Sequence, residues 1–137
     1  MRQSCLLLGL ALLALGGCRP TGRRRDELRA VLGVSAGELG AAATPERLQA
    51  VAKDQAAADP TQRRLGLAEC LRLADHARTL AREAAAISPL LGAPEDRLAK
   101  VTAELSGAVS CDAPLDPEAL GARLRKALKA LRALRGG

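Results

Sequence analysis

Four prolines set the architecture of this chain. In Thr44-Pro45-Glu46, Asp59-Pro60, Ala93-Pro94-Glu95-Asp96 and Asp116-Pro117-Glu118, each stands just before a run whose apolar residues recur every three or four positions. Proline has no N–H to give, which is no loss at the first position of a helix, whereas inside a helix or a central strand it disrupts the ladder. The four sites therefore predict four helix starts. The first helix runs to about Ala58, with Leu48, Val51, Ala52 and Gln55 on one face. The second and longest runs from Asp59 to about Ser88. The third carries the stripe Leu98, Val101, Leu105, Ala108, and the last carries Leu120, Leu124, Leu128, Leu131, Leu134. No segment alternates apolar with polar residues, so strands are not expected.

Ahead of these, Leu28, Val31 and Leu32 read as a short helix from Arg25 that ends near Gly33. Ser35 with Glu38 then forms a capping box, flanked by Val34 and Leu39 at the hydrophobic-staple positions. A second short helix is expected across residues 36–42, weakened by Gly37 and Gly40. The fold class is thus all-α: a bundle of about four main helices with one or two short N-terminal pieces.

The chain has no Phe, Tyr or Trp. Its core must come from Leu, Val, Ile and Ala, so helices approach closely but each contact buries little area. The same absence argues against aromatic stacking platforms for carbohydrate or single-stranded nucleic acid. A small core of this kind gains from a crosslink. On the long helix, at 100° per residue, Cys70 falls within the apolar sector of Leu67, Leu73, Ala74, Ala77, Leu80, Ala81 and Ala84, opposite Arg64, Asp75, Thr79 and Arg82. Cys111 sits in the Gly- and Pro-interrupted connection that follows the third helix. A Cys70–Cys111 disulfide would pin that connection to the long helix, stabilising the fold by about 4 kcal/mol in the chain-entropy model. A metal site or reactive thiol is the weaker reading, because His76 is the one histidine and no Cys-x-x-Cys occurs.

The first residues carry a different signal. Met1-Arg2 is followed by an apolar run from Leu6 to Leu15. That run is shorter than the roughly 20 residues of a membrane-spanning helix and matches the core of an export signal. Leu15-Gly16-Gly17-Cys18 closes it, and this tetrapeptide resembles the lipobox of bacterial lipoprotein precursors. The resemblance implies cleavage before Cys18, a diacylglyceryl group on its thiol and acylation of its new amino group. It also implies that Arg19, in place of Asp, directs the protein to the outer membrane, where it would face the periplasm. On this reading residues 1–17 are a removed signal peptide, residues 18–25 are the lipidated cysteine and a short basic tether, and residues 26–137 are one helical domain. Fully extended, the tether reaches at most roughly 25 Å, so the domain stays near the lipid surface. Cys5 leaves with the signal and Cys18 is consumed by lipidation, which leaves Cys70 and Cys111 in an oxidising compartment.

Charge is the remaining feature. With Arg2 removed, 20 basic residues face 15 acidic ones, a net of +5. Arg123, Arg125, Lys126, Lys129, Arg132 and Arg135 lie on the last helix with no acid among them. Such a face is either the solvated side of a bundle helix or a surface for anionic lipid, lipopolysaccharide or a cell-wall polymer. Nucleic acid is not an expected partner in an exported compartment. His76 lacks a nucleophile and an orienting acid in the sequence, so a hydrolase built on it is the least favoured reading. No cofactor is expected. The leading expectation is a non-enzymatic interaction or assembly factor, anchored through Cys18 and engaging an envelope protein complex. Intact-mass and N-terminal analysis of the protein extracted from membranes should find an acylated Cys18 as first residue, and Cys18→Ala should leave an unprocessed or unanchored chain. A mature terminus elsewhere overturns the lipobox assignment.

Overall fold

The computed structural model describes residues 22–135; Cys5, the rest of the expected signal peptide and Cys18 lie outside the described residues. Among the described residues every regular element is helical: α1 (Gly22–Ala42), α2 (Pro45–Gln55), α3 (Pro60–Ile87), α4 (Glu95–Gly107) and α5 (Pro117–Leu134), with a short 3-10 turn at Ser88–Leu91. The all-α expectation holds. Three of the four prolines sit at the start of the helix they announce, behind a capping side chain. Thr44 accepts from the Arg47 N–H at 3.3 Å, Asp59 from the Thr61 N–H at 3.1 Å, and Asp116 from the N–H groups of Glu118 and Ala119. Pro94 differs: it occupies the cap position itself, where no side chain bonds the helix, and Glu95 and Asp96 instead place negative charge at the positive helix end. The long helix stops at Ile87, and Gly92, at φ 82°, closes the turn that follows. That left-handed geometry is cheap only for glycine.

The N-terminal third departs from the sequence reading. One continuous helix replaces the two short ones, and it begins at Gly22, so residues 22–25 of the expected tether belong to the bundle. The reason is the buried stripe Leu28, Leu32 and Leu39, with Ala36 packed against it, which runs unbroken past Gly33. A glycine costs a helix about 1 kcal/mol, less than burying two leucines supplies. Val31 and Val34 fall outside the stripe and are exposed, which removes Val34 from any staple. Ser35 is no cap either; its hydroxyl donates to the Glu83 carboxylate on α3. At the start of α1, Arg23 and Arg24 pair with Glu27, and Arg29 pairs with Asp26, all within one turn.

α1 and α2 follow one another along α3. Ser35 meets Glu83, Gln62 Nε2 donates to Asp54 at 2.7 Å, and Gly66 lies under the backbone of Asp54 and Gln55. As numbers rise on α1 and α2 they fall on α3, so the two shorter helices form one broken rod antiparallel to it. α4 returns along α3, and α5 runs against both α4 and the broken rod, where it packs near Leu48 and Arg29. The result is an up-down bundle of four rods. Its core includes Leu32, Leu39, Leu48, Leu73, Leu80, Leu105, Leu124 and Leu131, with Ala77, Ala81 and Ala84 filling the narrow interface of α3. The third-helix stripe Leu98, Val101, Leu105 and Ala108 is buried as expected, whereas Leu128 is only partly buried and Leu67 is exposed. Gly66, one position earlier, takes the inward place that Leu67 was assigned.

The Cys70–Cys111 disulfide is present, with Cys70 fully buried and the two Cα atoms 5.9 Å apart. It fastens the α4–α5 connection to α3 at the end of the bundle remote from Gly22. The Leu115 N–H adds a second tie there, donating to Gln55 Oε1 at 2.9 Å. At the other end Arg29 Nε donates to the Arg135 carbonyl at 2.7 Å and closes the C-terminus of α5.

Two outcomes are expected in denaturant unfolding. A Cβ added at Gly66 would stand 2.5 Å from the Gln55 nitrogen and 2.8 Å from the Asp54 carbonyl carbon. Gly66→Ala should therefore destabilise by about 1–3 kcal/mol, although alanine is the better helix former. Replacing both cysteines, Cys70→Ala with Cys111→Ala, should lower stability by about 4 kcal/mol. A neutral or stabilising Gly66→Ala, or a double variant as stable as the parent, contradicts these contacts.

Candidate functional site

The apolar side of α5 is spent on the core. Leu120, Leu124, Leu131 and Leu134 are all buried, with Ala127 between them. The helix can present its cations without being able to lay its leucines into a membrane. Nor do the six cations form one patch. Arg125 lies on the α2 side, beside Pro45 and Pro117 in a hollow of about 410 Å³, with its guanidinium over Gly121. Arg135 is half-buried against α1, its guanidinium 2.8 Å from where a Cβ on Gly33 would stand. Lys129 and Arg132 point outward into solvent. Arg123 and Lys126 turn toward α4.

There they meet Arg97 and Lys100 across an open groove of about 590 Å³ between α4 and α5. Its floor is Val101, Ala127 and Leu134, edged by Ala122, Ala130 and Ala133. Both rims use the same spacing, a basic pair three residues apart, which puts two cations on one face of each helix. Arg123 Nε donates to Glu104 at 3.1 Å, so one of the four cations is paired across the groove. Arg97, Lys100 and Lys126 are exposed and, among the described residues, have no acidic partner within 4.0 Å. The groove therefore joins an apolar floor to a rim with excess positive charge. Chemically it suits an amphipathic, anionic occupant.

The groove exists because α4 and α5 pack less closely with each other than α4 does with α3. Alanine at 122, 130 and 133 leaves their seam unfilled. Pattern reading found the α5 half and missed Arg97 and Lys100, which are distant in sequence and sit on a helix that also carries Glu95, Asp96 and Glu104. The signal that was available is their three-residue spacing on the flank of the Val101 stripe.

His76 is half-buried on α3 and, among the described residues, takes part in no hydrogen bond or ion pair. Charged residues within two turns of it on α3 are engaged elsewhere: Arg72 pairs with Glu69, and Glu83 accepts from Ser35. Among the described residues no three His, Cys, Asp or Glu side chains gather where they could hold a metal ion. Comparison with known proteins gives no match, whether to a protein-family model, a curated protein or a solved structure.

Proposed function

We propose that this chain is a lipid-anchored protein of the bacterial envelope, held through acyl chains on Cys18 at the periplasmic face of the outer membrane. It acts there as a non-enzymatic interaction or assembly factor. The observation that carries the interaction role is the α4–α5 groove, an apolar floor with three unpaired cations on its rim. Several acyl chains on one cysteine exceed what lasting membrane attachment requires. Because α1 begins at Gly22, the chain between Cys18 and the helix spans at most about 14 Å, less than the tether length first expected. The end of the bundle formed by the start of α1 and the end of α5 is thus the end nearest the lipid, and it carries Arg23, Arg25, Arg132 and Arg135 toward anionic headgroups. The other reading, direct binding of anionic lipid, lipopolysaccharide or cell-wall polymer by the last helix, is less well supported. Its apolar stripe is committed to the core, and its cations diverge over three sides of the bundle.

Site-specific photocrosslinking in intact envelopes tests the interaction role. A crosslinker at Ala130 should give a discrete protein adduct that is lost when Lys100→Glu and Lys126→Glu are combined. The same crosslinker at Ala85, on the exposed side of α3, should not give it. Recovery of lipid or glycan adducts alone at Ala130 would sink the proposal.

A further inference from the structure

The shape and charge of the α4–α5 groove define what fits it. Between Ala122 and Leu134 its α5 wall is about 18 Å long, some three helical turns. α4 and α5 are antiparallel neighbours in the bundle and the Arg123–Glu104 pair sets their register, so Lys100 is level with Lys126, and Arg97 lies about one turn nearer the α5 C-terminus, level with Ala130. The free cations are thus spread along the groove on both rims instead of converging on one point. A phosphate or a lone carboxylate is held by donors that converge on it. Here successive cations face successive turns of whatever lies between them. Ala130 and Ala133 leave no side chain beyond Cβ on this wall, which permits a backbone to approach within the 8–10 Å of packed helices.

We infer that the groove receives an acidic amphipathic helix of a partner protein, with a Leu- and Ala-rich ridge on the floor and Asp or Glu residues on both flanks against Arg97, Lys100 and Lys126. The occupant completes the packing that α4 and α5 leave unfinished, as a third helix over the seam of two. Its carboxylates supply the charge that the rim lacks, steering encounter and fixing the direction in which the helix lies. This inference rests on the interaction role proposed above and specifies the partner's chemistry.

The probe is a stapled synthetic helix of about 18 residues, with Leu and Ala on one face and Glu along both edges, paired with a control in which every Glu is Lys. The full chain is purified from membranes and placed in nanodiscs of zwitterionic lipid. In fluorescence anisotropy the Glu helix should bind and the Lys helix should not. Combining Lys100→Glu with Lys126→Glu should weaken the Glu helix at least tenfold, roughly what two rim charges contribute, and should admit the Lys helix. Both sites are exposed, so circular dichroism of the double variant should match the parent. Ala130→Met, which fills the groove without changing charge, should also weaken binding. Equal binding of the two helices, or binding that survives the double reversal, overturns the inference. So does a crosslinker at Ala130 that captures phosphatidylglycerol from anionic nanodiscs while the Glu helix fails to bind. If a protein adduct forms at Ala130 in intact envelopes and the Glu helix still does not bind, the interaction role stands and the acidic helix is wrong. If no protein adduct forms, the interaction role itself fails.

Discussion

The rest of the structure depends on how closely other helices can approach α3. Its inward face is Gly66, Cys70, Leu73, Ala74, Ala77, Leu80, Ala81 and Ala84, mostly side chains of three carbons or fewer. Without aromatic rings, this chain cannot fill wide interhelical space, so stability comes from closing the space instead. Gly66 is the limit of that strategy, where the backbone of α2 passes so near that no Cβ is admitted. Leucines from α1, α2, α4 and α5 then interlock over the narrow stripe, and the broken first rod follows from it. α1 and α2 are two segments, each laid against its own stretch of α3.

A core of leucine and alanine is forgiving about register, because neighbouring turns look alike to a sliding helix. The polar and covalent ties at the two ends remove that freedom. Cys70–Cys111 and the Gln55–Leu115 hydrogen bond fix the α4–α5 connection at one end, and Arg29 on the α5 C-terminus fixes the other. Each joins segments far apart in the chain, and each places a directional bond where the apolar core has little preference. The disulfide and the loop bond act together to hold the start of α5, and small residues along its α4 side leave the seam that becomes the groove.

Electrostatically, α5 and its C-cap Arg135 gather six cations with no acid between Ala119 and Arg135, but the bundle divides them by geometry. Two face α4, two face solvent, one faces α2 and one faces α1. The α4 side adds Arg97 and Lys100 on the far rim, with apolar surface between the two pairs. Positive charge along one helix is therefore a weaker statement about function than positive charge on both sides of one seam.

The sequence by itself determined the helical class, the starts of α2, α3 and α5, the buried stripes of α4 and most of α5, and the pairing of Cys70 with Cys111. These are local or periodic facts: a proline's missing N–H, a capping oxygen, a repeat every three to four residues, and two cysteines facing one core. Tertiary structure decided the rest. It carried α1 through Gly33, because burying Leu32 and Leu39 outweighs a glycine's helix penalty. It turned Ser35 from cap to Glu83 partner, exposed Leu67 in favour of Gly66, and brought Arg97 and Lys100 opposite Arg123 and Lys126. Those outcomes compare one site with another distant in the chain, and a local pattern holds no information about the distance between two helix faces.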